Sequence, residues 1–333
     1  RSYGTGQMRL YEDCVSRILV FREIFRQVVS GVDAFADAGT PPGPVAADPP
    51  TGLTDAAPPL SGLALSGPNF TSGGVTYVSG TTQLVITSDD NYWTKPDLQV
   101  LVRTFPAGSP APAYGPGVPA DPAPFSLTGP DGERVVQFRG IDGRGTCNVE
   151  AERTRNFTLD NTPPDITITS PPAGTVFDTD DFSSIQYSVT DPGSGVASDS
   201  VTLDGMPATN GQVLDMFFLD PGTHTIQVTA TDNLGNVGTA DRTFEVHATA
   251  ESLISNVDRA FGLGLITDPA VYEGLRDKLE AALRSHNRGQ HAVEHNQLSA
   301  FINQLMAQRG NGIDAATADR FIAYAQDLIA RNG

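Results

Sequence analysis

Hydrophobic and polar residues alternate in short runs through most of the chain, from residue 61 to residue 248. Alternation with a period of two is typical of half-buried β-strands, because successive side chains point to opposite faces of a sheet. Turn-forming residues such as Pro130-Asp131-Gly132 and Pro221-Gly222 separate the runs. Short strands with this spacing predict antiparallel β-sandwiches. The predicted strands are 75–78, 83–87, 98–102, 135–139, 155–159, 166–168, 185–189, 201–203, 213–217, 224–230 and 242–246.

An internal repeat divides the alternating region into two sandwiches, which are predicted at 61–160 and 161–248. Both halves end with a glycine, a strand, an aspartate, a glycine-containing turn, an asparagine and a further strand. Repetition over one domain length indicates tandem domains. The first sandwich carries an insertion, 105–124, whose many prolines lack the amide donors that a central strand needs. This insertion is predicted as a long surface loop, and such loops often carry function.

The two ends of the chain have a different pattern, in which apolar residues recur three and four positions apart. This spacing predicts an amphipathic helix at 7–36, within an N-terminal segment 1–36, and several helices at 249–333. Short connections between the C-terminal helices favour an antiparallel bundle. Asp268-Pro269 and Asp314 have the residue types that begin helices.

Residues 37–60 are rich in proline, alanine and glycine, and they predict an extended linker with little surface to bury. The helix before this linker has a strongly apolar stripe and must dock on another surface to be stable. The first sandwich, a second copy of the chain and a preceding domain are the candidate surfaces.

Several turns in the alternating region resemble those of bacterial Ig-like repeats of secreted and cell-surface proteins. The junction Asp160-Asn161-Thr162-Pro163-Pro164 is similar to the start of such a repeat, and Asp232-Asn233-Leu234-Gly235-Asn236 is similar to its last hairpin. Asp191-Pro192-Gly193-Ser194-Gly195-Val196 and Leu203-Asp204-Gly205 are similar to two of its other turns. The hairpin of the first sandwich departs from the pattern, since extra residues that include Cys147 precede its asparagine. The resemblance implies immunoglobulin-like sandwiches and an extracellular or cell-surface location.

The C-terminal segment resembles the FIMAH-type helical domain of secreted bacterial enzymes and surface proteins. The resemblance rests on residues 297–305 (QLSAFINQL), residues 307–310 (AQRG) and an alanine-rich last helix. It implies an appended, non-catalytic module. The predicted fold class is therefore multidomain and mainly β, with two tandem Ig-like antiparallel β-sandwiches, an N-terminal amphipathic helix and a C-terminal antiparallel helical bundle.

Length and charge limit the classes of partner. A chain of 333 residues has room for two or three domains, each with its own core. Its net charge of −18 disfavours nucleic acid, because phosphate backbones are bound by basic residues. The charge has two explanations, which are the solubility of an extracellular protein and the binding of divalent cations at domain junctions.

The apolar runs and the first residues of the chain give information about its location in or outside the cell. No apolar run reaches the length of a membrane span. The chain begins Arg1-Ser2-Tyr3, without an initiator methionine or a signal peptide, so we expect a mature or partial product.

Two groups of residues have the chemistry of metal ligands. Asp178, Asp180 and Asp181 lie in one predicted loop and, with Asp160 at the domain junction, are candidates for a structural calcium ion. A solvated turn is the alternative, since the spacing is not that of an EF-hand. No other cofactor is expected.

The second group lies before the third C-terminal helix. His291 and His295 are four residues apart with Glu294 between them and His286 upstream, so the pair could hold zinc on one helix face. The segment HAVEH lacks the HExxH order and offers no obvious third ligand. A solvated polar stretch is the favoured interpretation.

The two cysteines, Cys14 and Cys147, show neither CxxC nor zinc-finger spacing. A single disulfide is their most economical use in an oxidising compartment, and it would clamp the N-terminal helix to the first sandwich. Two unrelated buried thiols are the alternative. Mass spectrometry of unreduced peptides distinguishes them.

Tyr92 and Trp93 are candidate ligand-binding residues in a predicted loop. Exposed aromatic rings on a sandwich loop often stack on sugars, whereas a lone tryptophan more often anchors a core. We favour the core role for Trp93.

The sequence contains no recognisable catalytic motif, so the residues shown are not expected to form an enzyme, although an upstream catalytic domain stays open. The leading hypothesis is an extracellular structural or adhesive protein that contacts other copies of itself or cell-surface components. The alternatives are the accessory C-terminal region of a larger secreted hydrolase and a carbohydrate-binding module that uses Tyr92, Trp93 or the loop 105–124 to hold a glycan.

Overall fold

The computed structural model describes residues 57–91, 93, 95–120, 124–142 and 148–332. The predicted N-terminal helix and nearly all of the predicted linker lie outside these residues. The described chain forms two units. The first contains the residues up to Thr162 with the short loops Pro192–Ser194 and Asn233–Asn236, and the second contains the rest.

The first unit is a β-sandwich. Its strands are β1 (Leu60–Ser66), β2 (Asn69–Ser72), β3 (Val75–Val78), β4 (Gln83–Asp89), β5 (Leu98–Pro106), β6 (Val118–Pro119), β7 (Gly132–Asp142) and β8 (Arg153–Leu159). One sheet has the order β2-β3-β8-β7-β5-β6, in which only the β3–β8 pair is parallel, and the other pairs β1 with β4. A short 3-10 helix, Lys95–Asp97, precedes β5.

Alternate residues of these strands point into one core. On β4 the side chains of Leu84 and Ile86 are fully buried, and on β7 those of Val136 and Phe138 are buried with them. Burial of each such side chain stabilises the fold by about 1.5–3 kcal/mol. The period-two pattern of the sequence is therefore the pattern of the core.

The second unit begins with another sandwich. Its strands are β9 (Asp165–Ser170), β10 (Val176–Asp178), β11 (Phe182–Ser184), β12 (Gln186–Thr190), β13 (Val196–Leu203), β14 (Met206–Ala208), β15 (Val213–Asp215), β16 (Gly222–Asp232) and β17 (Val237–His247). The main sheet has the order β10-β17-β16-β13-β14, and the pairs β11-β15 and β12-β9 form two smaller sheets. Ile185, Ile226, Val228 and Val246 are fully buried in the core.

Four helices complete the second unit. They are α1 (Ala250–Gly262), α2 (Pro269–His286), α3 (His291–Gln308) and α4 (Ala315–Arg331). The predicted starts at Asp268 and Asp314 are confirmed, because each side chain accepts an amide hydrogen bond from the first turn of its helix. Thr249 and Ser252 cap α1 reciprocally.

None of these four helices combines the length and the apolar character that crossing a membrane requires.

The predicted strands all overlap observed ones, but the end of one prediction is wrong. The run 213–217 was expected to continue as a strand through Phe217, whereas β15 ends at Asp215 and Met216–Phe218 form a 3-10 helix. A local hydrogen bond closes the turn, since the Asp215 side chain accepts the amide hydrogen of Phe217 at 3.2 Å. The turn places Phe217 among the helices rather than in the sandwich core.

The proline-rich insertion contributes little strand. Phe105 and Pro106 end β5, residues 107–117 form no strand, and Val118–Pro119 pair with β5 as the edge strand β6. Tyr114 holds the loop against the sheet, because its ring lies under the guanidinium groups of Arg103 and Arg139 at 4.3 and 4.7 Å.

Candidate functional site

The second unit contains a buried joint between its sandwich and its helical bundle, made by apolar contacts and hydrogen bonds. The sandwich contributes the 3-10 helix Met216–Phe218, and the side chain of Phe217 is fully buried in the core of the bundle. Its ring centroid lies 5.9 Å from that of Phe321 on α4. An aromatic side chain from one domain thus fills a position in the core of the next.

A tyrosine of the bundle binds the backbone of the same turn. The hydroxyl oxygen of Tyr324 lies 2.7 Å from the carbonyl oxygen of Phe217, 2.8 Å from that of Leu219 and 3.1 Å from that of Met216. A phenol has one proton to donate, so the three carbonyl groups share it. Burial raises the pKa of Tyr324, and the side chain therefore stays neutral and able to donate.

An ion pair closes one side of the joint. The two terminal nitrogens of the Arg259 guanidinium group, on α1, both donate to the carboxylate of Asp215, Nη1 at 2.7 Å. The same guanidinium lies 5.2 Å from the ring centroid of Phe217 and 5.0 Å from that of Phe182. Hydrogen bonding to Asp215 raises the pKa of Arg259. The carboxylate that caps the turn therefore also fixes the first helix.

Buried polar side chains form a second contact between the sandwich and the helical bundle. The hydroxyl oxygens of Thr179 and Ser252 are 2.9 Å apart, and the Asn256 side-chain amide donates to Thr179 at 3.0 Å. All three residues are almost completely buried. Buried polar groups with partners of this kind favour one relative placement of the domains over others.

The connection itself is only two residues long. Strand β17 ends at His247 and α1 begins at Ala250. The amide of Ala248 donates to Asp327 on α4 at 3.2 Å, and its carbonyl oxygen accepts from Arg331. The side chains of Arg259, Tyr324 and Asp327 therefore form hydrogen bonds across the joint between the sandwich and the bundle. This arrangement is suited to holding the two domains together.

The structure assigns the predicted calcium ligands to different units. Asp160 belongs to the first unit, where its carboxylate accepts the amide hydrogens of Ser194 at 2.6 Å and Thr162 at 3.3 Å. Asp178, Asp180 and Asp181 belong to the second. Calcium binding by these residues stays a prediction.

Asp178 ends β10, and Asp180 and Asp181 lie in the turn that follows it. The carboxylate of Asp181 accepts the amide hydrogen of Asp178 at 2.8 Å. Burial, together with the negative charges of Asp181 and Asp180, raises the pKa of Asp178. Asp181 therefore has a role in closing the turn, whether or not an ion binds there.

The structure places one of the two candidate sugar-binding aromatics. Trp93 is partly buried and its backbone amide donates to Asp90 at 2.9 Å, whereas Tyr92 lies outside the described residues. Cys14 and Cys147 also lie outside them. The glycan site and the disulfide both stay predictions.

The sequence favours a solvated polar stretch for the histidine-rich segment, with zinc binding by the pair His291 and His295 as the alternative. His286, His291 and Glu294 bring three potential ligand atoms within 4.8 Å of one another, and His295 is not part of this group. The turn between α2 and α3 brings His286, rather than His295, beside His291.

Comparison with known proteins identifies the helical part. Residues 250–330 match the family model of the FIMAH domain. No curated protein matches the chain. The described residues therefore comprise two β-sandwiches followed by a helical segment that matches the FIMAH domain.

Several solved structures are similar to part of the chain. One holds the fibronectin(III)-like modules of CbhA from Clostridium thermocellum, with 14% identity over 56% of this chain and 94% of that chain and a TM-score of 0.29. Another holds the FN1-FN3 domains of chicken CNTN1, with 14% identity over 50% of this chain and 61% of that chain and a TM-score of 0.24. Drosophila N-cadherin EC1-3 overlaps with 17% identity over 55% of this chain and 62% of that chain and a TM-score of 0.21. Overlaps this low carry no argument about function.

Proposed function

We propose that the chain is a non-catalytic structural or adhesive part of an extracellular or cell-surface protein, in which the second sandwich and the FIMAH domain act as one building block. The observation that carries the proposal is the buried joint around Phe217 and Tyr324. Domains that only tether a catalytic unit need no shared core, whereas a load-bearing or presenting unit gains from one.

Calorimetry of the full chain tests the shared core. We expect the second sandwich and the helical bundle to unfold in one cooperative transition, because Phe217 and Ala248 belong to the same core as the helices. Hydrogen exchange then assigns the transition to the residues involved. Independent melting of the bundle well below the sandwich would overturn the proposal of a single building block.

The location is tested on the cells that produce the protein. The strongly acidic composition is consistent with an exposed extracellular protein. Antibodies raised against the purified chain should label intact cells or the culture medium. Labelling only after the cells are broken would exclude the extracellular assignment and leave the fold untouched.

Other copies of the chain are one proposed partner. Strand β14 lies at one edge of the five-stranded sheet, and its Met206 is exposed. Unpaired strand edges can add a strand from another molecule. Sedimentation velocity should show association that grows with concentration and is weakened by Met206→Glu, with Met306→Glu on the bundle surface as the matched control.

A strictly monomeric chain at all concentrations would exclude self-association and leave cell-surface components as the proposed partner. Equal loss of association in both methionine variants would instead argue against the edge strand. The accessory region of a larger hydrolase and the glycan-binding module are the alternative functions.

A further inference from the structure

We propose that His286, His291 and Glu294 form a binding site for one divalent transition-metal ion, with zinc as the expected ion. His286 is the last residue of α2, His291 is the first of α3, and Glu294 lies one turn further along α3. The three side chains come from two helices joined by four residues. The site lies within the FIMAH domain and is independent of the joint with the sandwich.

The atoms that would bind the ion already converge. The Nδ1 atom of His286 lies 3.1 Å from each carboxylate oxygen of Glu294, and Nδ1 of His291 lies 3.2 Å from Oε2. Zinc binds imidazole nitrogen and carboxylate oxygen at about 2.0–2.2 Å, so two ligands in tetrahedral geometry are about 3.3 Å apart. The separations between each histidine and Glu294 need a change of only a few tenths of an ångström to accept the ion, and all three ligand atoms lie within 4.8 Å of one another.

The orientation of the two rings agrees with this geometry. Their centroids are 5.8 Å apart and their planes are inclined by 75°, so the two imidazoles do not stack, and each has its Nδ1 atom beside the Glu294 carboxylate. With three protein ligands, the fourth position is left to water.

The burial of Glu294 explains why an ion is favoured here. Its side chain has no exposed surface, whereas those of His286 and His291 are 40% and 53% exposed. A buried carboxylate is costly unless it is paired, and a divalent ion supplies a larger charge than any side chain can. The two exposed rings give the ion a path from solvent to the carboxylate.

A fourth side chain holds the carboxylate in place. The Asn332 side-chain amide donates to Oε1 at 3.0 Å from the end of α4. Outer partners of this kind orient the ligands of metal sites. The ion would therefore tie together the ends of α2, α3 and α4.

The turn between α2 and α3 brings His291 close to His286. Gly289 has a φ of 68°, which is in the left-handed region that favours glycine. The amide of Gln290 then donates back to the carbonyl oxygen of Ser285 at 2.9 Å. This reversal returns the chain so that His291 faces His286.

Zinc titration of the full chain by calorimetry, after treatment with chelator and dialysis, tests the site. We expect one equivalent of zinc to bind and to raise the unfolding temperature. Cobalt should give the visible absorption of a tetrahedral centre. His286→Ala and His291→Ala should each weaken zinc binding by about tenfold or more. Both side chains are partly exposed, so circular dichroism of the variants should match that of the unaltered chain.

His295→Ala is the matched control, because His295 lies on the same helix but outside the group. Its zinc affinity should equal that of the unaltered chain. No binding at micromolar zinc, or unchanged binding in both His286→Ala and His291→Ala, would overturn the proposal. Weakening by His295→Ala but not by His286→Ala would assign the ion to the pair on α3 and also overturn it.

Discussion

The hydroxyl oxygen of Tyr324 lies 2.7 Å from the carbonyl oxygen of Phe217, although the two residues are 107 positions apart in the chain. Both side chains are fully buried. One residue belongs to the last helix and the other to a turn of the sandwich, so this bond records the docking of one domain on the other.

Removal of that donor tests the strength of the joint. Tyr324→Phe keeps the ring in the core but leaves the carbonyl groups of the turn without their shared proton. We expect the free energy of unfolding to fall by about 1–3 kcal/mol, which is the cost of an unsatisfied buried group. Denaturant unfolding of the full chain gives the value.

Tyr272→Phe is the matched control for this substitution. Tyr272 also belongs to the bundle and its hydroxyl donates to Asp258 at 3.0 Å, but on the exposed surface. The substitution should change the free energy of unfolding much less than Tyr324→Phe does. Equal effects would mean that the buried bond adds nothing to the joint.

The two tasks of Asp215 can be separated by substitution. Asp215→Asn keeps an oxygen that can cap the turn at Phe217 but removes the charge that binds Arg259, whereas Asp215→Ala removes both. We therefore expect Asp215→Ala to destabilise the chain more than Asp215→Asn. A double-mutant cycle with Arg259→Ala should give a coupling energy of at least about 0.5 kcal/mol. Additive effects would show that the ion pair is not coupled.

A buried carboxylate in the first sandwich predicts acid sensitivity. Glu150 is nearly fully buried and accepts the amide hydrogens of Gly140 at 3.0 Å and Ser61 at 3.1 Å. Burial works to raise the pKa of Glu150, but these bonds and one from Arg153 leave it below the ordinary value of 4.5. Since the folded-state pKa is lowered, the stabilisation is complete above the unfolded-state pKa and is lost as the pH falls through the folded-state value.

Glu150→Gln should therefore lower the free energy of unfolding of the first sandwich at neutral pH. The difference in this free energy between the variant and the unaltered chain should shrink as the pH drops below about 4.5. Urea unfolding at neutral and acidic pH measures the difference. Glu133→Gln, on the exposed face of β7, is the control. A difference that stayed constant with pH would contradict the assignment to ionised Glu150.

The proline-rich loop should depend on one aromatic side chain. The ring of Tyr114 lies under Arg103 and Arg139, and its hydroxyl donates to Glu152 at 2.6 Å. Burial and the bond to Glu152 raise the pKa of Tyr114 to about 12, so it stays a donor. Tyr114→Ala should speed proteolytic cleavage within residues 107–117, and Tyr114→Phe should do so much less. Equal cleavage in the unaltered chain and Tyr114→Ala would show that the ring does not hold the loop.

Local signals in the sequence predicted the elements well. Asp268 and Asp314 could be identified as helix starts because capping depends on residues within one turn. Alternation gave the strands for the same reason, since the side-chain period is a property of the strand itself. The division of the β-region into two tandem sandwiches required the internal repeat in addition to these short-range patterns.

Long-range relations were missed where residues fit a local pattern for another reason. Met216 and Phe217 extend an apolar run and look like strand. The Met216 side chain does lie in the sandwich core, but that of Phe217 is buried against a helix that lies about a hundred positions later. The spacing of four made His291 and His295 the candidate pair for a metal ion, whereas the histidine that lies beside His291 is His286, from across a turn. In both cases the deciding neighbour is distant or lies beyond a chain reversal, and periodicity carries no signal for it.

The backbone of Ala248 is held by Asp327 and Arg331, so the bundle begins and ends at the same place. Tension applied between the second sandwich and the end of the last helix would enter and leave the bundle at neighbouring points. The two hydrogen bonds that join Ala248 to Asp327 and Arg331 would be strained first, and both at once. The force would not pass through the interior of the bundle until they broke. A single-molecule pulling trace should accordingly show a high initial force, followed by release of the helices as one unit.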